Sequence, residues 1–210
     1  MYRSYAAATE HSRQAIELAE RHSWIDDPAA GIAYWVLGVT SVWQGRLEEA
    51  EPWVQRGERT LRAEAEPAAR VGVHYVRGTL ELARGRDADA LAAFQAADQL
   101  AGRLAKPNLL VTAVRDYLVD ALVRLGETER AEQALAGLGN NDRDGEMRNG
   151  LAALRLAQND PHAAIAALAP VLDGSGPRPR CLTDGAGRGV RPAAQNGTLA
   201  ARPAVPRSHT

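Results

Sequence analysis

The amino-acid sequence predicts an all-α fold, built as a solenoid of about four and a half stacked helical hairpins. The first observation is composition: alanine and arginine dominate, Lys106 is the only lysine, and the chain has one phenylalanine. Alanine and arginine are strong helix formers, whereas the β-branched and aromatic residues that favour strands are scarce. The second observation is a pattern of small residues and turns that recurs at intervals of 40, 41 and 33 residues. Intervals of this size are typical of stacked repeats.

Each repeat follows one series of steps: a small residue, a turn seven residues later, an alanine after five more, and a large apolar residue after four more. The series begins at Gly38, Gly78, Val119 and Ala152, and its turns fall at Gly45, Gly85, Gly126 and Asn159. Glycine, and asparagine at some cost, can take the left-handed conformation that ends a helix. Each unit is therefore predicted to be a hairpin that buries its apolar face only by stacking on its neighbours.

Helix boundaries follow from capping and proline signals. Asp27-Pro28 and Asp160-Pro161 combine a capping side chain with a proline in the first turn, and Glu66-Pro67 and Lys106-Pro107 are weaker starts of the same kind. Pro52 conflicts with its helix and predicts a kink or a later helix start. A loop is predicted at 139–142. The predicted helices are 4–21, 28–44, 47–62, 67–84, 87–104, 107–125, 128–138, 146–158 and 161–172.

The chain divides into a helical-repeat domain, residues 1–173, and a tail, residues 174–210. The tail holds five prolines, six glycines and six arginines without helical or strand periodicity, so we expect it to be disordered. A further helix pair should follow residue 173. Because codons rich in G and C encode these residues, the tail is interpreted as a frameshifted translation of a truncated gene, the alternative being a genuine basic tail.

Charge and cysteine content exclude several classes of function. The six arginines and one aspartate of 174–210 leave 19 basic and 25 acidic side chains in residues 1–173, a balance of −6. An acidic repeat domain argues against sequence-specific nucleic-acid binding. Cys181 is the only cysteine, which excludes an internal disulfide. Without a signal-type or membrane-spanning apolar segment, a cytoplasmic location is expected, with no membrane partner.

Candidate catalytic residues are sparse, and we expect the chain not to be an enzyme and to need no metal or cofactor. The five histidines show no spacing typical of metal ligands. Asp116 and Asp120 lie one helical turn apart and could form an acid pair, but nothing else catalytic converges on them. They are interpreted as part of an acidic stripe.

Residues at equivalent positions in the first helix of each hairpin predict a binding groove. Positions three before the repeat starts are Trp35, Tyr75, Asp116 and Asn149, and flanking positions one turn on are Val39, Thr79, Asp120 and Ala153. A half-aromatic, half-acidic groove suits a protein segment, a peptide or a small amphipathic inducer. The alternative is a groove that binds nothing.

The small residue, turn, alanine and large apolar residue resemble the tetratricopeptide pattern. A narrower resemblance, covering roughly residues 4–175, is to the helical-repeat region of large LuxR-family transcriptional regulators of the MalT type. Its segments are 22–31, 43–51, 61–67, 83–86 and 145–174. The resemblance implies that the first-helix face lines a concave groove and that the chain is a signal-sensing superhelix. Such regulators also carry an ATPase module and a helix-turn-helix, neither of which has a motif here. The alternative is a free-standing tetratricopeptide-type scaffold that joins other proteins.

Overall fold

The described residues of the computed structural model, 3–61, 67–106, 108–136 and 147–173, fold into α-helices joined by turns, without strands. The all-α prediction is confirmed. The expected disorder of 174–210 and the predicted loop at 139–142 lie outside these residues. The helices are α1 (Arg3–Arg21), α2 (Pro28–Trp43), α3 (Leu47–Thr60), α4 (Pro67–Ala83), α5 (Asp87–Ala101), α6 (Val111–Arg124), α7 (Thr128–Ala136), α8 (Met147–Ala157) and α9 (Pro161–Leu172).

The two strongest predicted helix starts are confirmed. Asp27 accepts a hydrogen bond from the Ala29 N–H at 2.8 Å, and Asp160 accepts one from the Ala163 N–H at 2.9 Å. In both cases the helix begins with the following proline, whose missing N–H would have had no partner within the helix. Helix α4 likewise begins at Pro67.

The predicted start of α6 at residue 107 is wrong, since that helix begins four residues later, at Val111. Asn108 is responsible. Its side chain accepts a hydrogen bond from the Leu110 N–H at 2.9 Å and donates one to the Ala68 carbonyl at 3.1 Å. The bond to Leu110 holds residues 108–110 in a turn and the bond to Ala68 ties that turn to α4, so the helix begins only at Val111.

Helix α3 runs through Pro52, so the later helix start considered for this segment is also wrong. Pro52 is the sixth residue of the helix and lies on its exposed side. Its neighbours Ala50 and Val54 are fully buried, with 0% and 1% of their surface exposed. Burial of that apolar face offsets the backbone hydrogen bond that proline cannot donate.

The four predicted turn residues close four hairpins by the same geometry. Gly45, Gly85 and Gly126 have φ of 74°, 74° and 76°, and Asn159 has φ of 60°. At each turn two backbone N–H groups bond back to the helix end, as Gly45 does to Val42 and Arg46 to Ser41, both at 2.9 Å. This is the Schellman arrangement, which satisfies carbonyls at a helix C-terminus.

The hairpins α2–α3, α4–α5, α6–α7 and α8–α9 stack in chain order. The first helices adjoin one another in the order α2, α4, α6, α8, and each second helix also contacts the first helix of the next hairpin. Helix α1 packs on α2. Within a hairpin the small residue at the repeat start faces the large apolar residue sixteen positions later, as Gly38 faces Val54 and Gly78 faces Phe94. The spacing found in the sequence therefore corresponds to close helix approach.

An ionic network joins the first hairpin to the second. Arg77 of α4 donates to Glu58 at 2.7 Å and to Glu51 at 2.9 Å, both on α3, and to the buried Glu81 at 3.1 Å. Glu51 is also bound by Arg84. Burial would raise the pKa of Glu51, but hydrogen bonds from Arg77, Arg84 and Gln55 outweigh it and lower the pKa to about 2. Glu51 is therefore held as a carboxylate.

Candidate binding surface on the first helices

The eight residues predicted to line or flank a groove lie on the four adjoining first helices, and we call the seven of them other than Ala153 the first-helix strip. It consists of Trp35 and Val39 on α2, Tyr75 and Thr79 on α4, Asp116 and Asp120 on α6, and Asn149 on α8. Because these helices adjoin in the order α2, α4, α6, α8, the members of the strip follow one another in space across four hairpins. Their exposure, however, differs greatly along the strip.

Three members of the strip are buried, so they offer almost no surface to a ligand. Val39, Tyr75 and Thr79 are only 3%, 4% and 4% exposed. The Tyr75 ring lies 5.7 Å from that of Tyr117 on the next first helix, edge to face, and the Thr79 hydroxyl donates to the Val76 carbonyl at 2.9 Å. The neighbouring helices of the stack cover these positions, which spacing within one helix does not reveal.

Trp35 presents part of its ring to solvent and packs the rest on α4. A Cβ added at Gly72 would lie 3.0–3.3 Å from three atoms of the indole, so the glycine allows the ring to lie against the helix. The indole Nε1–H is buried and has no hydrogen-bond acceptor within the described residues. A ligand at this position would therefore meet the apolar ring surface rather than the N–H group.

Asp116 has a role that sequence reasoning missed. Its Oδ1 accepts a hydrogen bond from the Gly150 N–H at 2.7 Å, close to the beginning of α8. A Cβ at residue 150 would come within 2.7 Å of the same oxygen, so glycine is required for the contact. A carboxylate near a helix N-terminus also interacts favourably with the helix dipole. Asp116 therefore joins the third hairpin to the fourth, and it is only partly exposed.

Asp120 is the partly exposed acidic member at the centre of the strip. It accepts a hydrogen bond from Arg124 Nε at 3.1 Å, and 29% of its side chain is exposed. Burial raises the pKa of this carboxyl, Arg124 opposes the rise, and the negative charge of Asp87 adds to it. One Asp87 oxygen is buried and has no hydrogen-bond partner among the described residues. A cationic ligand group at Asp120 would relieve this repulsion between carboxylates.

The structure adds an apolar neighbour that the prediction did not include. Ile32, one turn before Trp35 on α2, is 48% exposed. Its three-residue spacing from Trp35 was the signal that could have found it. At the opposite end of the strip Asn149 is partly exposed. The exposed character of the surface therefore changes from apolar on α2 to acidic and polar on α6 and α8.

No protein-family model matches this chain, and no curated protein sequence is similar to it. Within the described ranges, no helix combines the length and apolar character needed to cross a membrane. In the same part of the chain, no three His, Cys, Asp or Glu side chains are grouped so that they could hold a metal ion.

Proposed function

We propose that this chain is a ligand- or protein-binding superhelix, the sensor segment of a LuxR-family, MalT-type transcriptional regulator. The observation that carries the proposal is the adjacency of α2, α4, α6 and α8, which aligns the partly exposed Trp35, Asp120 and Asn149 across the stack. A row of different side chains on a rigid repeat scaffold is the arrangement by which solenoid proteins bind extended partners. A cytoplasmic location is part of the proposal.

The hydrogen bonds that Asp116 and Asp120 accept within the protein favour a binding function over a catalytic one. Asp116 bonds to the Gly150 N–H and Asp120 to Arg124, so each is held by the protein rather than paired with the other. An acid–base mechanism needs one carboxyl that gives a proton and one that accepts it at the same substrate. These contacts instead position each carboxylate within the stack.

The chemistry of the strip indicates an amphipathic ligand with a positive charge. Its apolar part would contact Trp35 and Ile32 on α2, and its cationic group would approach Asp120 on α6. A peptide with a hydrophobic side chain and an arginine or lysine has this character. The acidic balance of residues 1–173 also disfavours a phosphate backbone as the partner.

The binding test uses an array of amphipathic basic peptides, with hits titrated by calorimetry. Trp35→Ala and Asp120→Asn are each expected to weaken binding by ~1 kcal/mol or more, about fivefold, as central interface residues do. The matched controls are Trp24→Ala, whose ring is 54% exposed in the α1–α2 loop, and Asp89→Asn, an exposed acid on α5. Equal affinity of all four variants, with helicity preserved, would contradict the proposal.

A free-standing scaffold that joins other proteins is the second candidate, favoured by the apolar surface at the last hairpin. Leu156, Ile165 and Leu172 on α8 and α9 are 61%, 62% and 74% exposed. Exposed apolar side chains, where they adjoin one another, can pack against another protein. Adjacent reading frames that encode an ATPase module and a helix-turn-helix would support the regulator; a stable stoichiometric complex without such frames would support the scaffold.

A further inference from the structure

A cavity lies between the α1–α2 loop and the end of α3, and it shares no residue with the first-helix strip. The cavity has a volume of about 220 Å³ and is lined by Ile25, Asp26, Tyr34, Arg56, Arg59 and Thr60. One water needs ~10–15 Å³ of such volume, so the cavity has room for several non-hydrogen atoms. Its size is therefore that of a small organic molecule or of one residue of a peptide.

The wall of this cavity is fixed by Tyr34. Its side chain is 1% exposed, and its hydroxyl donates a hydrogen bond to the Ile25 carbonyl at 3.0 Å, which ties the α1–α2 loop to α2. The Tyr34 ring also stacks on Trp53 of α3, with centroids 6.2 Å apart and planes inclined by 15°. Loop, α2 and α3 are thus held together around the cavity, so the site is formed before any ligand arrives.

Arg56 is held in place by the same two aromatic rings. Its guanidinium carbon lies 5.9 Å from the Tyr34 centroid and 5.6 Å from the Trp53 centroid, within the range of cation–π attraction. A long side chain that is already positioned loses less entropy when it binds a ligand. Arg59 lies three residues further along α3 and lines the same cavity.

The charges of the cavity favour a monoanion with an apolar part. Two arginines and one carboxylate, that of Asp26, line the cavity, so a ligand with a single negative charge would leave the lining close to neutral. Each guanidinium carries five N–H donors, so an arginine that already bonds within the protein can also donate to a ligand. Ile25, which is 42% exposed, supplies apolar surface for a hydrocarbon chain.

We propose that this cavity binds a carboxylate attached to a short aliphatic group. The carboxylate oxygens accept hydrogen bonds from Arg56 and Arg59, since guanidinium groups match carboxylates in shape and charge. The Thr60 hydroxyl is a further donor in the lining, and the aliphatic part lies against Ile25. The same chemistry is offered by a free small acid and by the C-terminal residue of a peptide.

The test titrates the ¹⁵N-labelled full chain with n-butyrate at constant ionic strength and follows amide chemical shifts. We expect saturable shifts around the α1–α2 loop and the end of α3, with a Kd of about 1 mM for so small a ligand. Arg56→Gln and Arg59→Gln are each expected to weaken binding at least tenfold. Arg103→Gln, an exposed arginine in the α5–α6 turn, is the matched control and should bind as the wild type does.

Further ligands distinguish a free small acid from a peptide C-terminus, and a carboxylate from another anion. A short peptide ending in valine that binds more tightly than butyrate, and loses binding when its C-terminus is amidated, would assign the site to a protein terminus; the reverse order would assign it to a free acid. Inorganic phosphate that binds as tightly as butyrate would overturn the carboxylate assignment. Absence of saturable shifts in the wild type, or unchanged binding in both folded arginine variants, would overturn the site itself.

Discussion

The repeat-start glycines allow the two helices of a hairpin to approach closely, and one substitution tests this directly. Gly78 lies in α4, where a helix interior ordinarily gains ~1 kcal/mol of stability when glycine becomes alanine. At this position the new Cβ would lie 2.4, 2.6 and 2.7 Å from three atoms of the Phe94 ring. Carbon atoms pack best at ~3.5–4.0 Å, so the ring would have to move by about 1 Å.

The surroundings of Phe94 leave no room for that movement. The side chain is 0% exposed, and its ring lies 6.5 Å from the Tyr75 ring and 5.6 Å from the Tyr117 ring, measured between centroids. Overpacking of a closed core costs about 1–3 kcal/mol, and a rigid ring held on both sides places this case near the upper limit. After the gain in helix propensity, Gly78→Ala is expected to lower stability by ~2 kcal/mol.

Gly57→Ala is the matched control, because Gly57 is also a buried helical glycine but its added Cβ would meet its nearest atom at 3.6 Å. Stability should rise there by up to ~1 kcal/mol. The assay is urea unfolding, followed by circular dichroism and tryptophan fluorescence to check that the transitions coincide. The Tm of Gly78→Ala should fall by ~4–8 °C. A Gly78→Ala variant as stable as the wild type would refute the reasoning, as would an absence of rescue by Phe94→Leu in the double variant.

Three other predictions concern polar contacts within the described helices. Asp160→Ala should cost ~1 kcal/mol and increase hydrogen exchange in the first turn of α9, since the N-cap bond is lost; unchanged exchange would exclude a capping role. Asp116→Ala should cost ~1–3 kcal/mol in urea unfolding because the Gly150 N–H loses its acceptor, and wild-type stability would show that bond to be unimportant. Glu51, whose folded pKa of about 2 lies below its usual 4.5, contributes stability that is complete above pH 4.5 and lost as the pH falls toward 2. Its contribution is at most ~3 kcal/mol. In Glu51→Gln the unfolding free energy should therefore depend less on pH between 4.5 and 2 than in the wild type. An unchanged pH profile would contradict the assignment.

Much of the fold could be predicted from the sequence because its signals are local. A positive φ at Gly85 depends on one residue and its turn, and a cap at Asp27 depends on two adjacent residues. The starts of α2, α4 and α9 could therefore be located correctly. The α6 start was mispredicted because Asn108 bonds both forward to Leu110 and across to Ala68, forty residues away. The second contact has no local signature.

The candidate surface could be predicted less well, because exposure depends on the helices that cover a residue. Thr79 and Asp120 occupy equivalent repeat positions, yet the former is buried at 4% and the latter partly exposed. Periodicity fixes which residues share a helix face, whereas burial is decided by packing between hairpins. The cavity beside Arg56 also has no sequence signal, since it joins residues from a loop and two helices that are up to 35 positions apart.

One repeat position contacts the next first helix through three different chemistries, and this links binding to the stacking of the hairpins. Trp35 packs on Gly72, Tyr75 on Tyr117, and Asp116 bonds to Gly150, so each contacts the next first helix. The stability of a repeat array is approximately a sum of hairpin and interface contributions. Under the proposed function, a ligand that spans Trp35 and Asp120 binds the stacked form and stabilises the intervening interfaces, by ~2.7 kcal/mol when present at a hundred times its Kd. Because Trp35 lies at one of these interfaces, occupancy of the surface is expected under the proposed function to stiffen the stack between α2 and α6.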